Sequence, residues 1–446
     1  MMRKQDGFTL VELLIAILVF TFAIAAAFLI FIPLVSKFKQ QSKISETNTE
    51  GLVGLELMKT DLEHAGYGLP WCFPYNTITY GEAVTAAPAN TLNDAPGNPP
   101  RALAAINNIT FNANVNANVN IIKVVTNSDY LTIKSALVSG TDAAQKWSYI
   151  VAQNAPAPKT WGPPAGTWGT SDPLVGDNVI VINPMPSQTC SNNCLVMNGG
   201  TVFATVNQGY TLWPAKNPPI NFAVGTAFTP PGTGTLLQTY LIYDIAPAAG
   251  TVGTDLTGPL TMPFNRADYF VGIPRTPPTR CAIGTGVLYK AILNQDGTFH
   301  SGDTTPLLDC VADMQVIFGL DMNGDGIIDT YSDAAGVNAG DATNITGQGL
   351  GQGPQAQSVL ASQSNLSPYR SSVVEIRIYI LAHEGQQDPG FTFPAAMNPI
   401  NVGSLWAGDI PPAYGRQVHL DQLGDVNWMH YRWKVYTMVV KLQNIQ

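Results

Sequence analysis

The sequence predicts an α+β fold: a long N-terminal membrane-spanning α-helix packed on an antiparallel β-sheet that carries large strand- and loop-rich insertions. Three observations predict it. An almost unbroken apolar run extends from Leu13 to Val35. Helical periodicity continues beyond that run as far as Gly66. A succession of β-rich segments, separated by Gly, Pro, Asn and Asp turns, then fills the rest of the chain.

The apolar run comes first. From Leu13 to Val35 a helix would extend about 34 Å at ~1.5 Å per residue, enough for a hydrocarbon core of about 30 Å. A cleavable export signal has a shorter apolar region followed by a small-x-small cleavage site, whereas here the break in the sequence, Gly7, precedes the apolar stretch. Pro33 lies inside the run and is expected to kink or locally melt it. Arg3 and Lys4 precede the span, and Lys37, Lys39 and Lys43 follow it, so flanking charge does not fix the orientation.

Glu12 is the informative residue. A carboxylate at the start of an apolar helix costs on the order of 2.5 to 3.5 kcal/mol unless a cation offsets it. Gly7-Phe8 followed by Thr-Leu-Val-Glu12 resembles the type IV prepilin signal. That resemblance implies cleavage after Gly7 by a membrane prepilin peptidase and methylation of the new Phe8 amine. The freed amine of one subunit could then neutralise Glu12 of a neighbour, which makes Glu12 an assembly residue. Processing on the cytoplasmic face implies that residues beyond about 36 lie in the periplasm or outside the cell.

The expected organisation is a leader over residues 1–7, a transmembrane and assembly helix over 8–36, and its amphipathic continuation over 37–68. A β-rich globular domain then spans 69–446, with a subdivision considered near 154–175 or 247–265. In the continuation, Leu52, Leu55, Met58, Leu62 and Ala65 recur at three- and four-residue spacing, one face meant for a core. Gly66, Gly68 and Pro70 supply the stop. Residues 77–120 read mostly as loop. Strands are expected at 121–126, 130–138, 178–183, 201–206, 237–245, 285–293, 311–319, 372–382 and 431–442. Residues 341–367 contain a Gly-rich stretch with no Lys-Ser/Thr after it, so a mobile loop is expected there and not a phosphate cradle.

Asp321-Met-Asn323-Gly-Asp325-Gly326-Ile327-Ile-Asp329 reproduces the first nine positions of an EF-hand-type loop. Asp321, Asn323, Asp325 and Asp329 offer side-chain oxygens, Ile327 its backbone carbonyl, and Gly326 permits the sharp bend. Converging carboxylates repel one another, so the cluster calls for a hard divalent ion, and Ca2+ fits better than Mg2+. Position 12 is Ser332 instead of the bidentate Glu, and Asp333, Asp341 or water are the substitutes. With strand-like sequence before it, the segment reads as a calcium-braced hairpin connection. A plain turn with solvated carboxylates is the alternative.

Composition narrows the function. Charged residues are 12% of the chain and hydrophobic ones 45%, with a net charge of -9. Global disorder and a general attraction to nucleic acid are both disfavoured. Of the five cysteines, Cys190 with Cys194 and Cys281 with Cys310 are the pairs expected in an oxidising compartment, and Cys72 is left over; unpaired buried thiols are the alternative. His64, His300, His383, His419 and His430 are scattered, without a metalloprotease, nucleophile-elbow or phosphate-loop motif. An enzyme is not expected, and each histidine reads as an ordinary packed or surface residue.

Further blocks narrow the family. They are Leu57-Met-Lys-Thr-Asp61-Leu-Glu-His-Ala65-Gly66-Tyr67-Gly68, Val311 to Leu320 leading into the acidic loop, Val373-Val-Glu-Ile-Arg377-Ile-Tyr-Ile-Leu, and Tyr431-Arg432-Trp-Lys-Val-Tyr436 onward. Together with the signal, they resemble PilW-type minor pilins. The resemblance implies a type IV pilin-like fold and a low-abundance subunit that primes pilus assembly in a tip complex. Its partners would be other minor pilins, the major pilin, the prepilin peptidase, the inner membrane and a tip adhesin, with no specific nucleic acid. Before assembly it would be a single-pass inner-membrane protein with a cytoplasmic N-terminus, and afterwards a surface one. A type II secretion minor pseudopilin, or an adhesin or DNA-capture subunit, are the alternatives.

Overall fold

The structure is a computed structural model. It describes residues 9–73, 80–84, 87–109, 121–152, 161, 172–173, 177–185, 193–196, 203–205, 238–247, 261–328, 330–333, 353–362, 366–403 and 415–445. Its helices are α1 (Leu10–Glu63), α2 (Gly353–Ala361) and α3 (Ser367–Ser372). Its strands are β1 (Leu103–Ile106), β2 (Ile121–Val124), β3 (Tyr130–Ser135), β4 (Trp147–Ala152), β5 (Asn178–Asn183), β6 (Cys194–Leu195), β7 (Phe203–Thr205) and β8 (Gln238–Ala246). They continue with β9 (Asn265–Pro274), β10 (Gly286–Leu293), β11 (Phe299–Leu320), β12 (Thr330–Asp333), β13 (Val373–Glu384), β14 (Ile400–Val402), β15 (Arg416–Val418) and β16 (Arg432–Lys441).

The fold is α+β: an N-terminal apolar helix followed by antiparallel sheets. The main sheet runs β1-β3-β9-β10-β11-β13-β16, with β2 paired to β9 and β12 to β11. A second sheet runs β4-β8-β5-β6, with β7 on β5, and β14 and β15 form a separate hairpin-like pair. One strand in from the β16 edge of the main sheet, β13 is buried on both faces. Ile376, Ile378 and Ile380 share a core with Leu55, Met58 and Leu62 of α1. The alternate residues Tyr379 and Leu381 face a second core with Val402, Val418, Leu420 and Trp433. Two covered faces explain the near-continuous apolar sequence of that strand.

α1 changes character along its length. Apolar side chains such as Leu10, Phe20, Phe28 and Ile32 are exposed, and Leu10–Lys39 is long and apolar enough to cross a membrane. Farther along, Gly51 and Gly54 let the helix approach β11, so that Leu55, Met58 and Leu62 are buried. Asp61 fastens this end, taking an ion pair from Lys290 Nζ of β10 (2.5 Å) and a hydrogen bond from the Tyr269 hydroxyl of β9.

Several expectations need correction. Pro33 does not melt the helix: Leu10–Glu63 is continuous, because one missing N–H is tolerated when the bonds on either side persist. The helix ends at Glu63, ahead of Gly66, and Gly66 (φ 86) and Gly68 (φ 71) turn the chain in left-handed conformations. The described residues of 77–120 are mostly loop, as expected, but β1 and a short 3-10 helix, Ala89–Leu92, within them lie in the core and were not foreseen. The segment 341–367 includes α2, with Ala356 and Leu360 buried. Sequence reading also missed β4 and β9. The expected connectors 154–175 and 247–265 fall largely outside the described residues, as does the Asn-rich tract 112–120.

Candidate functional site

Two arrangements bear on function: the start of α1 and the loop between β11 and β12. Gly7 and Phe8 lie outside the described residues. Thr9 caps the helix, its Oγ1 accepting the Glu12 N–H (3.3 Å), while Glu12 Oε2 accepts from Thr9 N and Thr9 Oγ1, each at 3.0 Å. This is a reciprocal capping box, in which the acid satisfies helix N–H and hydroxyl donors in its own chain. Glu12 is the single charged residue between Leu10 and Val35. Its carboxylate therefore stands at the mouth of an exposed apolar helix, within one turn of where the processed amine would emerge.

The acidic loop joins two antiparallel strands, with Leu320 paired to Thr330. Asp321 is buried at the foot of the loop and Asn323 to Ile327 are exposed. The loop winds about its carboxylate: Oδ1 accepts from Asn323 N (3.2 Å) and Gly324 N (2.6 Å), and Oδ2 accepts from Gly326 N (2.7 Å). The pattern repeats one step on. Asn323 Oδ1 accepts from Asp325 N and Asp325 Oδ1 from Ile327 N, each at 2.8 Å. Gly324 (φ 79) and Gly326 (φ 84) take the left-handed backbone that this winding requires, although each has room for a Cβ. Burial would raise the Asp321 carboxyl, but the N–H donors of Gly326, Gly324 and Asn323 outweigh it and hold it below the usual carboxylate range.

Asp321, Asn323, Asp325 and the Ile327 carbonyl are thus gathered in one short loop, while Asp329 lies outside the described residues. Asp321 Oδ1 already accepts two N–H bonds, but Asp321 Oδ2 and both Asp325 oxygens accept one each and keep a lone pair, so this oxygen set fits a hard cation. The substitutes for position 12 fall differently. Ser332 sits within β12, opposite Phe318, and its hydroxyl donates to the Asp333 carbonyl (3.1 Å). Asp333 Oδ1 accepts from Gly415 N (3.2 Å). Asp341 is outside the described residues.

Cys281 and Cys310 form a disulfide (S–S 2.00 Å) that ties the turn before β10 to β11. Cys72, expected to be left over, is disulfide-bonded, as is Cys194, and the two backbones meet in an isolated parallel bridge. Cys190 lies outside the described residues. His383 comes within metal-ligand range of Cys281 and Cys310, but the sulfurs are bonded to each other, so the thiolates a soft metal needs are absent. His383 instead accepts the Ala282 N–H at Nε2 (2.9 Å) and packs on Tyr431 and Trp433.

Sequence reasoning missed a buried ionic network beneath residues 80–101. Lys134 Nζ meets Glu82 at 2.7 Å and Asp94 at 2.6 Å, and Arg101 Nε meets Asp94 at 2.7 Å. Arg266 bridges Glu82 (3.0 Å) and Asp268 (2.8 Å). Tyr130 and Thr132 hydroxyls donate to Asp268. Three cations face three carboxylates, which balances the group electrically. The available signal was the Arg266-x-Asp268 alternation inside an otherwise apolar strand.

Residues 279–444 match the family model of the type IV pilus-assembly protein W, and residues 2–28 match that of the prokaryotic N-terminal methylation motif. The first stretch holds β10 to β16, the acidic loop and the disulfide; the second holds Glu12. No curated protein and no solved structure matches the chain.

Proposed function

We propose that this type IV pilus-associated minor pilin of the PilW type primes pilus assembly and takes its place in the pilus tip complex. It is a structural subunit. One observation carries the reading: a single helix is exposed and apolar over Leu10–Lys39, then sunk into a folded head from Gly51 onward, with its one membrane-depth charge, Glu12, at the very start. Cleavage after Gly7 in the inner membrane would free the Phe8 amine, and methylation would leave it charged. In a growing filament, that amine from a neighbouring pilin would exchange with Thr9 as the partner of Glu12. Low dielectric strengthens the ionic contact, so the pairing favours one axial register. On this reading, the partners of the head would be other minor pilins, the major pilin and a tip adhesin.

The test is Glu12→Ala in the full-length protein. Processing should survive, read as a mature mass beginning at methylated Phe8, while piliation falls sharply. Normal piliation would overturn the pairing. Labelling the subunit in filaments separates roles: label confined to tips supports priming, and label along the shaft contradicts it.

The acidic loop is read as a weak Ca2+ site that stiffens the β11–β12 connection, with Asp321, Asn323, Asp325, Asp329 and the Ile327 carbonyl as ligands. The ion would supply charge neutralisation to a loop already wound to present oxygens. In detergent-solubilised full-length protein, chelator should lower the melting temperature, and Asp325→Ala should abolish that response. An unchanged melting temperature on chelation would remove the calcium reading.

A further inference from the structure

The second sheet ends in three ionisable side chains set side by side on adjacent strands. Lys146 immediately precedes β4, Asp177 immediately precedes β5, and Asp244 lies on β8 between them. The pairing Trp147↔Tyr243 sets Lys146 beside Asp244, and the Asp244 N–H donates to the Lys146 carbonyl (3.1 Å). On the other flank, Val179 pairs with Asp244 and Asn178 with Ala246, which puts Asp177 diagonally across from Asp244. All three are buried, Asp244 completely (0% exposed).

Their bonding is unequal. Lys146 Nζ reaches Asp177 Oδ2 at 3.7 Å. Among the described residues, no group donates a well-aligned hydrogen bond to either carboxylate oxygen of Asp244. A fully buried carboxylate with two bare oxygens is a state that folded proteins avoid, by supplying a donor, a cation or a proton. Among the described residues, the charged groups that face Asp244 are Asp177 from β5 and Lys146 from β4. One is another acid, and the other is engaged with that acid.

We propose that Asp244 is protonated in the folded protein at neutral pH and donates to the Asp177 carboxylate, so that one shared proton, flanked by Lys146, latches β8 to β5. With the proton in place, the three groups are electrically neutral together: a carboxylic acid, a carboxylate and an ammonium. The donor missing from Asp244 and the acceptor surplus around it are resolved in one bond. Burial, and then the charge of Asp177, push the Asp244 carboxyl well above the usual carboxylate range; the opposing pull of Lys146 and of the nearby Ala246 N–H is smaller.

The pH dependence follows from linkage. Above about pH 4 the unfolded chain releases a proton that the folded chain keeps. Up to the folded pKa, this group therefore weakens folding by about tenfold in the equilibrium constant per pH unit. Asp244→Asn keeps a neutral donor toward Asp177 and removes the titration.

The experiment compares thermal melting of the full-length wild type and Asp244→Asn in detergent from about pH 5 to about pH 8. The melting temperature of the variant, relative to wild type, should climb steadily with pH. A flat or falling difference would show that Asp244 is ionised in the fold and would overturn the proposal. An independent reading is the carbonyl stretch of a protonated carboxyl in infrared spectra of the wild type at neutral pH, lost in Asp244→Asn; its absence from wild type would equally overturn it. A chelator response that persists in Asp325→Ala and disappears in Asp244→Asn would assign a cation, not a proton, to the pair.

Discussion

His383 shows how far burial can move one side chain. It lies on β13 with its ring enclosed by Tyr431 and Trp433, accepting the Ala282 N–H beside the Cys281–Cys310 disulfide. Burial pushes its pKa from 6.5 down to about 3, outweighing the opposite pull of nearby backbone carbonyls and Asp425. The folded imidazole thus stays neutral where the unfolded one protonates. Its contribution to stability is complete above about pH 6.5 and is lost as pH falls toward 3, at about 1.4 kcal/mol per pH unit. His383→Gln preserves an acceptor for Ala282 but does not titrate. It should flatten the acid limb of a denaturant-melt profile between about pH 6.5 and pH 4.5, where wild type loses on the order of 2 to 3 kcal/mol. An unchanged acid limb in the variant would place the titration elsewhere. Nothing in the sequence around His383 announced this, because its neighbours come from turns and strands distant along the chain.

At the scale of elements, the seat of α1 on β11 is the joint between membrane anchor and head, and its two glycines are not equivalent. A Cβ on Gly54 would overlap the backbone carbonyl of Leu307, whereas one on Gly51 would meet only Leu308 Cδ1, at 2.6 Å. Alanine gains about 1 kcal/mol of helix propensity over glycine at either position. A leucine methyl can rotate away, so Gly51→Ala should be near neutral. A backbone carbonyl cannot move without shifting its strand, so Gly54→Ala should cost about 1 to 3 kcal/mol net, read as a lower melting temperature. Equal effects at the two positions would contradict the packing. This half of α1 was legible in the sequence because its apolar spacing is strict. So were β10, β13, β16 and the second half of β11, read as 311–319, whereas its first half, from Phe299, was not. β9 was not, since Arg266 and Asp268 break its apolar character and their compensation depends on Glu82, Tyr130 and Thr132, remote in sequence. The acidic loop was legible for the opposite reason, because all its donors and acceptors lie within a few residues. Disulfide pairing was legible only in part: Cys281 with Cys310 was, whereas Cys72, which spacing leaves over, is disulfide-bonded in the fold.

For the whole molecule, the question is what holds the insertions to the part that resembles other assembly subunits. Residues 80–101 precede the matched region 279–444, yet they are fastened to the main sheet by charge. Arg266 is the hub: its guanidinium meets Glu82 and Asp268, and donates to Asn93 Oδ1 (2.8 Å) and the Ala89 carbonyl (2.7 Å). Flanking carboxylates, Asp268 foremost, offset its burial and raise its pKa, so it stays charged under all ordinary conditions. Arg266→Met would leave two buried carboxylates short of a cation, a loss of about 3 to 5 kcal/mol by comparison with other broken buried pairs. Exposed pairs such as Lys59 with Glu56 should each matter by less than about 1 kcal/mol. High salt should therefore leave the attachment of residues 80–101 intact, since screening acts on exposed charges and scarcely on buried ones. Limited proteolysis in full-length protein checks both statements. Cleavage within 80–101 should be resistant in wild type at low and high salt alike, and should become rapid in Arg266→Met while α1 and the β11–β13–β16 region remain protected. Rapid salt-induced cleavage of wild type would mean that the network is open to solvent, and that burial of the insertion rests on its apolar contacts alone.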